Sequence, residues 1–208
     1  MEFVRVDAGE HELGWRFSER LPSNARAAIE RFIPMADFLT RFSKSRRVEL
    51  PAFDIASSAT LTVEELLGDI YGLAGIETLV DACDACDAAL LQQGLRLPTE
   101  DELEAAFAGQ LFPWGDTVPD GLPYAGQTSF AAHKGRTGRG LWPLGDTYHP
   151  ELTRTALKLG DGGEAVCGGY PWPVAWFSLC PSFRLAGESV DELLFEFLET
   201  THLRPVRL

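Results

Sequence analysis

The stretch CDAC, with Cys83 and Cys86 three positions apart, holds residue types whose spacing could do chemistry. A C-x-x-C serves as a redox dithiol or as half of a zinc site, because both uses need two thiolates within one turn of chain. The surroundings point elsewhere. Leu79, Cys83, Cys86 and Leu90 fall on one stripe of a helix whose other positions carry Asp81, Asp84 and Asp87. A buried cysteine packs as a small apolar side chain, and the sequence has no second C-x-x-C to complete a zinc site. The pair is therefore expected in a core helix. Four cysteines in 208 residues are too few for a disulfide framework.

The elements that must position any site follow from composition and pattern. The chain is 45% hydrophobic with a mean hydropathy of -0.05, which suits one large domain or two tight small ones. It lacks an apolar run of membrane-spanning length and the basic-then-apolar layout of a secretory signal, so a cytoplasmic protein is expected. A net charge of -13 repels phosphate backbones and anionic membranes; neither nucleic acid nor membrane is an expected partner. The cationic cluster Arg41, Lys44, Arg46 and Arg47 reads as the solvated end of a helix or as a contact for an acidic partner.

FVRVDAGEHELGW alternates Val4 and Val6 with polar residues and turns at Gly9 and Gly14, as a strand or hairpin does. Helical spacing of Ile29, Phe32, Phe38 and Phe42 is divided by Pro34. VELPAFDIAS reads as a second strand, and Thr62 with Glu65 starts a short helix. An acidic helix spans about 77–92 and ends at Gly94. Thr99 and Glu102 make a capping box behind Pro98, with Leu103 and Phe107 on the buried face. From about 108 to 182 no long periodic segment follows, and Trp114, Trp142, Trp172 and Trp176 mark a loop-rich region organised by aromatic anchors. A helix at about 189–199 has a capping box at Ser189 and Glu192, and Val190, Leu193, Leu194, Phe197 and Leu198 as its apolar face. That face packs on its own domain or docks a partner or second copy. The order of elements predicts an α+β domain.

GLRLPTEDELEAAF followed by FPWGD resembles the signature of the formylglycine-generating enzyme (sulfatase-modifying factor) family. FVRVDAGEHELGW, VELPAFDIASSATLTVEEL, GLWPLGDTY and PSFRLA resemble further pieces of that family in the family's order, over about residues 3–186. The resemblance implies a single C-type-lectin-like α+β domain over 1–208, loop-rich with little regular structure. It also implies that the Leu-Pro-Thr helix and the Pro-Trp-Gly turn pack beside each other as framework.

Oxidases of the family carry two cysteines, five apart, after an Arg-Gly-Gly-Ser motif, and bind copper(I) through thiolates. Two registers are open here, Gly162-Gly163 and Gly168-Gly169, and neither supplies that pair. Cys167 and Cys180 remain as an alternative catalytic set, brought together by a hairpin to hold copper or a disulfide; otherwise Cys180 is an interior strand residue and Cys167 a loop thiol. A second branch of the fold binds non-haem iron through a histidine-bearing helical bundle, whereas His11, His133, His149 and His202 are isolated here. The family's calcium loop corresponds to residues 145–151, where Asp146 is a ligand type and His149 replaces a glutamate; Asp146 equally suits a turn. The resemblance thus points to a pseudoenzyme, bacterial by analogy, that binds a protein, peptide or small ligand through its aromatic loops. Tyr170, Trp172, Trp176 and His149 are the ligand-binding candidates. The alternative is a metal-dependent oxidase or oxygenase using Cys167, with or without Cys180.

Overall fold

The alternating valines open a long antiparallel ladder. In the computed structural model, which describes residues 1–15, 21, 23–68, 75–107, 110–119, 121, 132–185, 190–191 and 194–208, β1 (Phe3–Val6) pairs with β4 (Phe53–Ala56), Val6 facing Phe53. Strand β2 (Gly9–Leu13) pairs with β3 (Arg46–Leu50), Gly9 facing Leu50. One register carries through both pairs; it is interrupted where Pro51 has no N–H to donate.

Two further sets of strands are very short. Strand β10 (Val206–Arg207) lies between β4 and β6 (Leu95–Arg96), antiparallel to both. A second sheet orders β5 (Leu61–Thr62), β9 (His202–Leu203), β7 (Glu151–Leu152) and β8 (Leu157–Lys158), with β7 and β9 parallel. Among the described residues, eight helices accompany these sheets: α1 (Ser23–Glu30), α2 (Met35–Leu39), α3 (Val63–Leu67), α4 (Leu79–Leu91), α5 (Glu100–Ala106), α6 (Glu164–Cys167), α7 (Trp172–Phe177) and α8 (Leu194–Thr200). The protein is α+β. None of these helices is long and apolar enough to cross a membrane.

Local sequence explains three of the helix starts. Thr62 with Glu65, Thr78 with Asp81 and Thr99 with Glu102 each close a capping box, the hydroxyl accepting from the third backbone N–H and the carboxylate from the cap N–H. Pro34 separates α1 from α2. On α4 the stripe Leu79, Cys83, Cys86 and Leu90 is buried as its spacing predicts. Burial pushes both thiols up to about 12, so neither is a thiolate at neutral pH.

The core divides into three clusters. Phe38, Phe42, Phe112, Trp176 and Phe177 form the aromatic one; α4, α8 and the second sheet share another through Cys86, Leu90, Leu194, Leu198 and Leu203; and Phe53, Ile55, Leu103, Phe107 and Val206 join the first sheet to α5. The Leu-Pro-Thr helix and the Pro-Trp-Gly turn therefore feed different clusters, Leu103 the third and Phe112 the first.

Several expectations need correction. VAWF does not lead into an interior strand: it is helical, because Pro171 and Pro173 sit at the helix start, where a missing N–H costs nothing. Cys180 lies just past this helix, fully buried. The basic run does not end a helix, since α2 stops at Leu39. Arg46 and Arg47 stand on β3 instead, Arg46 paired with Asp101 and Glu104, Arg47 with Glu10 and Glu12. The Ser189–Glu192 capping box lies outside the described residues, but Leu194 and Leu198 of α8 turn into the core of their own chain.

Two buried ion pairs join the clusters. Arg204 and Glu151, both fully buried, make a bidentate pair of 2.7 and 2.8 Å; the guanidinium also donates to the carbonyls of Ala56 (3.0 Å) and Trp142 (2.8 Å) and stacks over Phe107. Glu104 accepts from Lys158 Nζ (2.8 Å), Ser43 Oγ (2.6 Å) and Gly14 N–H (2.9 Å). Removing one partner strands the other charge in a dry interior. Arg204→Met is expected to cost about 3–5 kcal/mol by denaturant unfolding, and the double change Arg204→Met with Glu151→Leu to return a large part of it; a double variant no more stable than the single would contradict this.

Candidate functional site

The site is built where two segments distant in sequence run side by side. Ser43 N–H donates to Ser182 O (2.8 Å), Arg184 N–H to Arg41 O (2.9 Å), and Leu157 and Leu185 exchange hydrogen bonds of 3.0 and 2.9 Å. This pairing sets Arg41 and Arg184 on one rim of a groove of about 740 Å³. Asp161, Glu164 and Glu196 line it as well, over a floor containing Phe183, Leu185 and Phe197.

Most of the charges are anchored. Arg41 pairs with Glu164 at 3.5 Å and lies 5.8 Å from the centre of the Tyr170 ring; Arg184 Nε is 3.1 Å from Glu100. Asp161 is 1% exposed, and its carboxylate accepts the N–H groups of Gly163 (3.0 Å) and Ala165 (3.1 Å), tying down the start of α6. Burial pushes this carboxyl up to about 6, against the opposing pull of those two N–H groups and Arg41, while Glu164 adds to the rise. A shifted carboxyl lining a groove is what a binding site commonly contains. Gly162 and Gly163 make the bend possible: both have positive φ, and a Cβ would lie 2.6 Å from the Phe197 ring or 2.2 Å from the Tyr148 ring. Fixed charges of both signs over an apolar floor can hold a ligand that is itself both charged and apolar.

The residues singled out from the sequence are dispersed. Tyr170 is half-buried, its ring 4.8 Å from that of Phe32, which is 52% exposed. Trp172 is half-buried at the edge of the aromatic cluster. Trp176 sits inside that cluster, fully buried, with its indole N–H donating to Gly121 O at 2.7 Å. His149 Nδ1 lies 3.2 Å from His202 Nε2, and the His202 pKa is lowered by burial and then by His149. Asp146 closes a turn: its carboxylate accepts Tyr148 N–H (3.1 Å) and its carbonyl accepts His149 N–H (3.2 Å). Among the described residues no three metal-binding side chains gather. Cys167 is exposed at the end of α6, 3.2 Å from Tyr148 Oη, and Cys180 is buried with its pKa well above the usual thiol value for that reason. Both are free thiols.

The sequence reading missed Asp161, Arg184 and Glu196 as a group, although the Asp directly before Gly162-Gly163 and the Arg of PSFRLA were in view. Compared with known proteins, the chain matches no family model and no curated protein sequence.

A raised carboxyl pKa stabilises the fold below its unfolded value of 3.8, and that contribution is lost as pH climbs through about 6. The melting temperature of Asp161→Asn minus that of wild type should therefore be more positive at pH 8 than at pH 4, whatever the amide loses by having one acceptor oxygen in place of two; the reverse order would show that the ionised form is the favoured one. Among the cysteines, Cys167 should be alkylated by iodoacetamide in the native state well before Cys83, Cys86 and Cys180, as peptide mass mapping would show.

Proposed function

We propose that the chain is a non-catalytic binding protein with a formylglycine-generating-enzyme-type, C-type-lectin-like fold. It recognises a peptide, protein or small ligand in the groove lined by Arg41, Arg184 and Asp161, where the Tyr170 ring backs Arg41 at 5.8 Å. The order of the family-like sequence pieces and the α+β architecture of short strands support the fold. The observation that carries the function is the groove itself, where anchored charges of both signs meet an apolar floor. The free thiols suit a reducing cytoplasmic compartment, and the net charge of -13 argues against nucleic acid.

A rival reading is a copper- or iron-dependent oxidase of the same fold using Cys167. The exposed thiol beside the Tyr148 hydroxyl favours it, while the buried, protonated Cys180 is a poor second ligand.

Random peptides displayed on phage and selected on the wild-type chain should lose affinity about tenfold or more when tested on Arg41→Glu or Arg184→Glu variants that retain the wild-type circular dichroism. Selected peptides indifferent to both changes would remove the groove from the proposal. Oxygen uptake by the copper(I)-loaded chain with a thiol substrate, abolished by Cys167→Ser, would establish the rival.

A further inference from the structure

His149 and His202 meet at the junction of β7 and β9, outside the groove, and the binding function makes no use of them. His202 Nδ1 is 3.0 Å from Ala59 O. A carbonyl only accepts, so Nδ1 carries the proton and Nε2 presents its lone pair to His149 Nδ1, 3.2 Å away. Metal-ligating histidines are oriented in this way, one ring N–H held by a backbone carbonyl and the other nitrogen free to coordinate. An ion about 2.0–2.1 Å from each of two imidazole nitrogens in tetrahedral geometry sets them about 3.3–3.4 Å apart. The present separation differs from that by little more than a tenth of an ångström or two.

The rings stand on anchored backbone. His202 pairs with Thr62 on one side and Glu151 on the other, and its N–H donates to Pro150 O at 2.8 Å, the residue after His149. Glu151 gives both oxygens to Arg204, so it is not a ligand. No third His, Cys, Asp or Glu among the described residues completes a cluster, leaving the remaining positions to water. Two imidazoles suit zinc, copper(II), nickel and cobalt, and not calcium, which prefers oxygen.

We infer that His149 Nδ1 and His202 Nε2 form an open two-histidine site for a divalent transition-metal ion of the zinc class. On binding, His149 moves its proton from Nδ1 to Nε2, and the ion replaces the imidazole–imidazole hydrogen bond. The ion then staples the loop before β7 to β9.

Titration of the full chain with Zn²⁺ by calorimetry and with Co²⁺ by visible absorption tests this. One ion per chain is expected, with affinity falling about tenfold or more in His149→Asn and in His202→Asn, and with perturbed imidazole resonances in the wild type on Zn²⁺ addition. Should His202→Asn fail to fold, His149→Asn alone carries the test. Absence of stoichiometric binding, binding unchanged by both substitutions, or a sulfur-to-cobalt charge-transfer band placing the ion on Cys167 would each overturn the proposal. None of these outcomes bears on the groove.

Discussion

The guanidinium of Arg204 has its contacts inside the protein, three polar and one aromatic, and they reach into four separate parts of the chain. Glu151 comes from β7, the Ala56 carbonyl from β4, the Trp142 carbonyl from the loop before β7, and the Phe107 ring from the end of α5. A buried cation missing any of its acceptors is left with an uncompensated desolvation cost. The four parts must therefore arrive together. This makes the two sheets cooperative even though β6 to β10 are each two residues long, far too short to be held by ladder hydrogen bonds alone.

Elsewhere the same device recurs on a smaller scale. Glu104 gathers Lys158, Ser43 and the backbone of Gly14, and Asp161 gathers the first N–H groups of the bend into α6. Long irregular segments ordinarily stay at the surface because their backbone polar groups need water. Buried carboxylates supply those partners here, so irregular chain is held close to the core and can line a groove. The groove inherits its geometry from these anchors: Arg41 is positioned by Glu164 and by the backbone of Arg184, and Arg184 by Glu100.

What the sequence made legible was local. Capping boxes at Thr62 and Thr99, the break at Pro34 and the buried stripe of α4 depend on residues a few positions apart, and each stands as expected. The rest depends on partners far away in the chain. His149 gave no sign of His202, and Glu151 none of Arg204, because 53 positions separate each pair. Strands of two residues carry no alternation to read, so β9 and β10 passed unnoticed behind the stronger helical pattern before them. Trp176 showed the opposite difficulty: an aromatic residue in a loop-like stretch reads equally as ligand contact or as core, and only the packing around it, Trp114 at 5.7 Å and His133 at 5.1 Å, distinguishes them.

The position of β10 bears on how the protein is made. Strands β4 and β6 do not touch each other; residues 206–207 fit between them. A ribosome delivers β4 and β6 well over a hundred residues before the strand that joins them. Until then each presents an unpaired edge, the kind of surface on which nascent chains associate wrongly. Closing so distant a gap is also slow, because the loop entropy is lost before the contacts form. Synthesis of this fold thus includes an interval in which those edges stand open, and the net charge of -13, through repulsion between like-charged chains, works against their association.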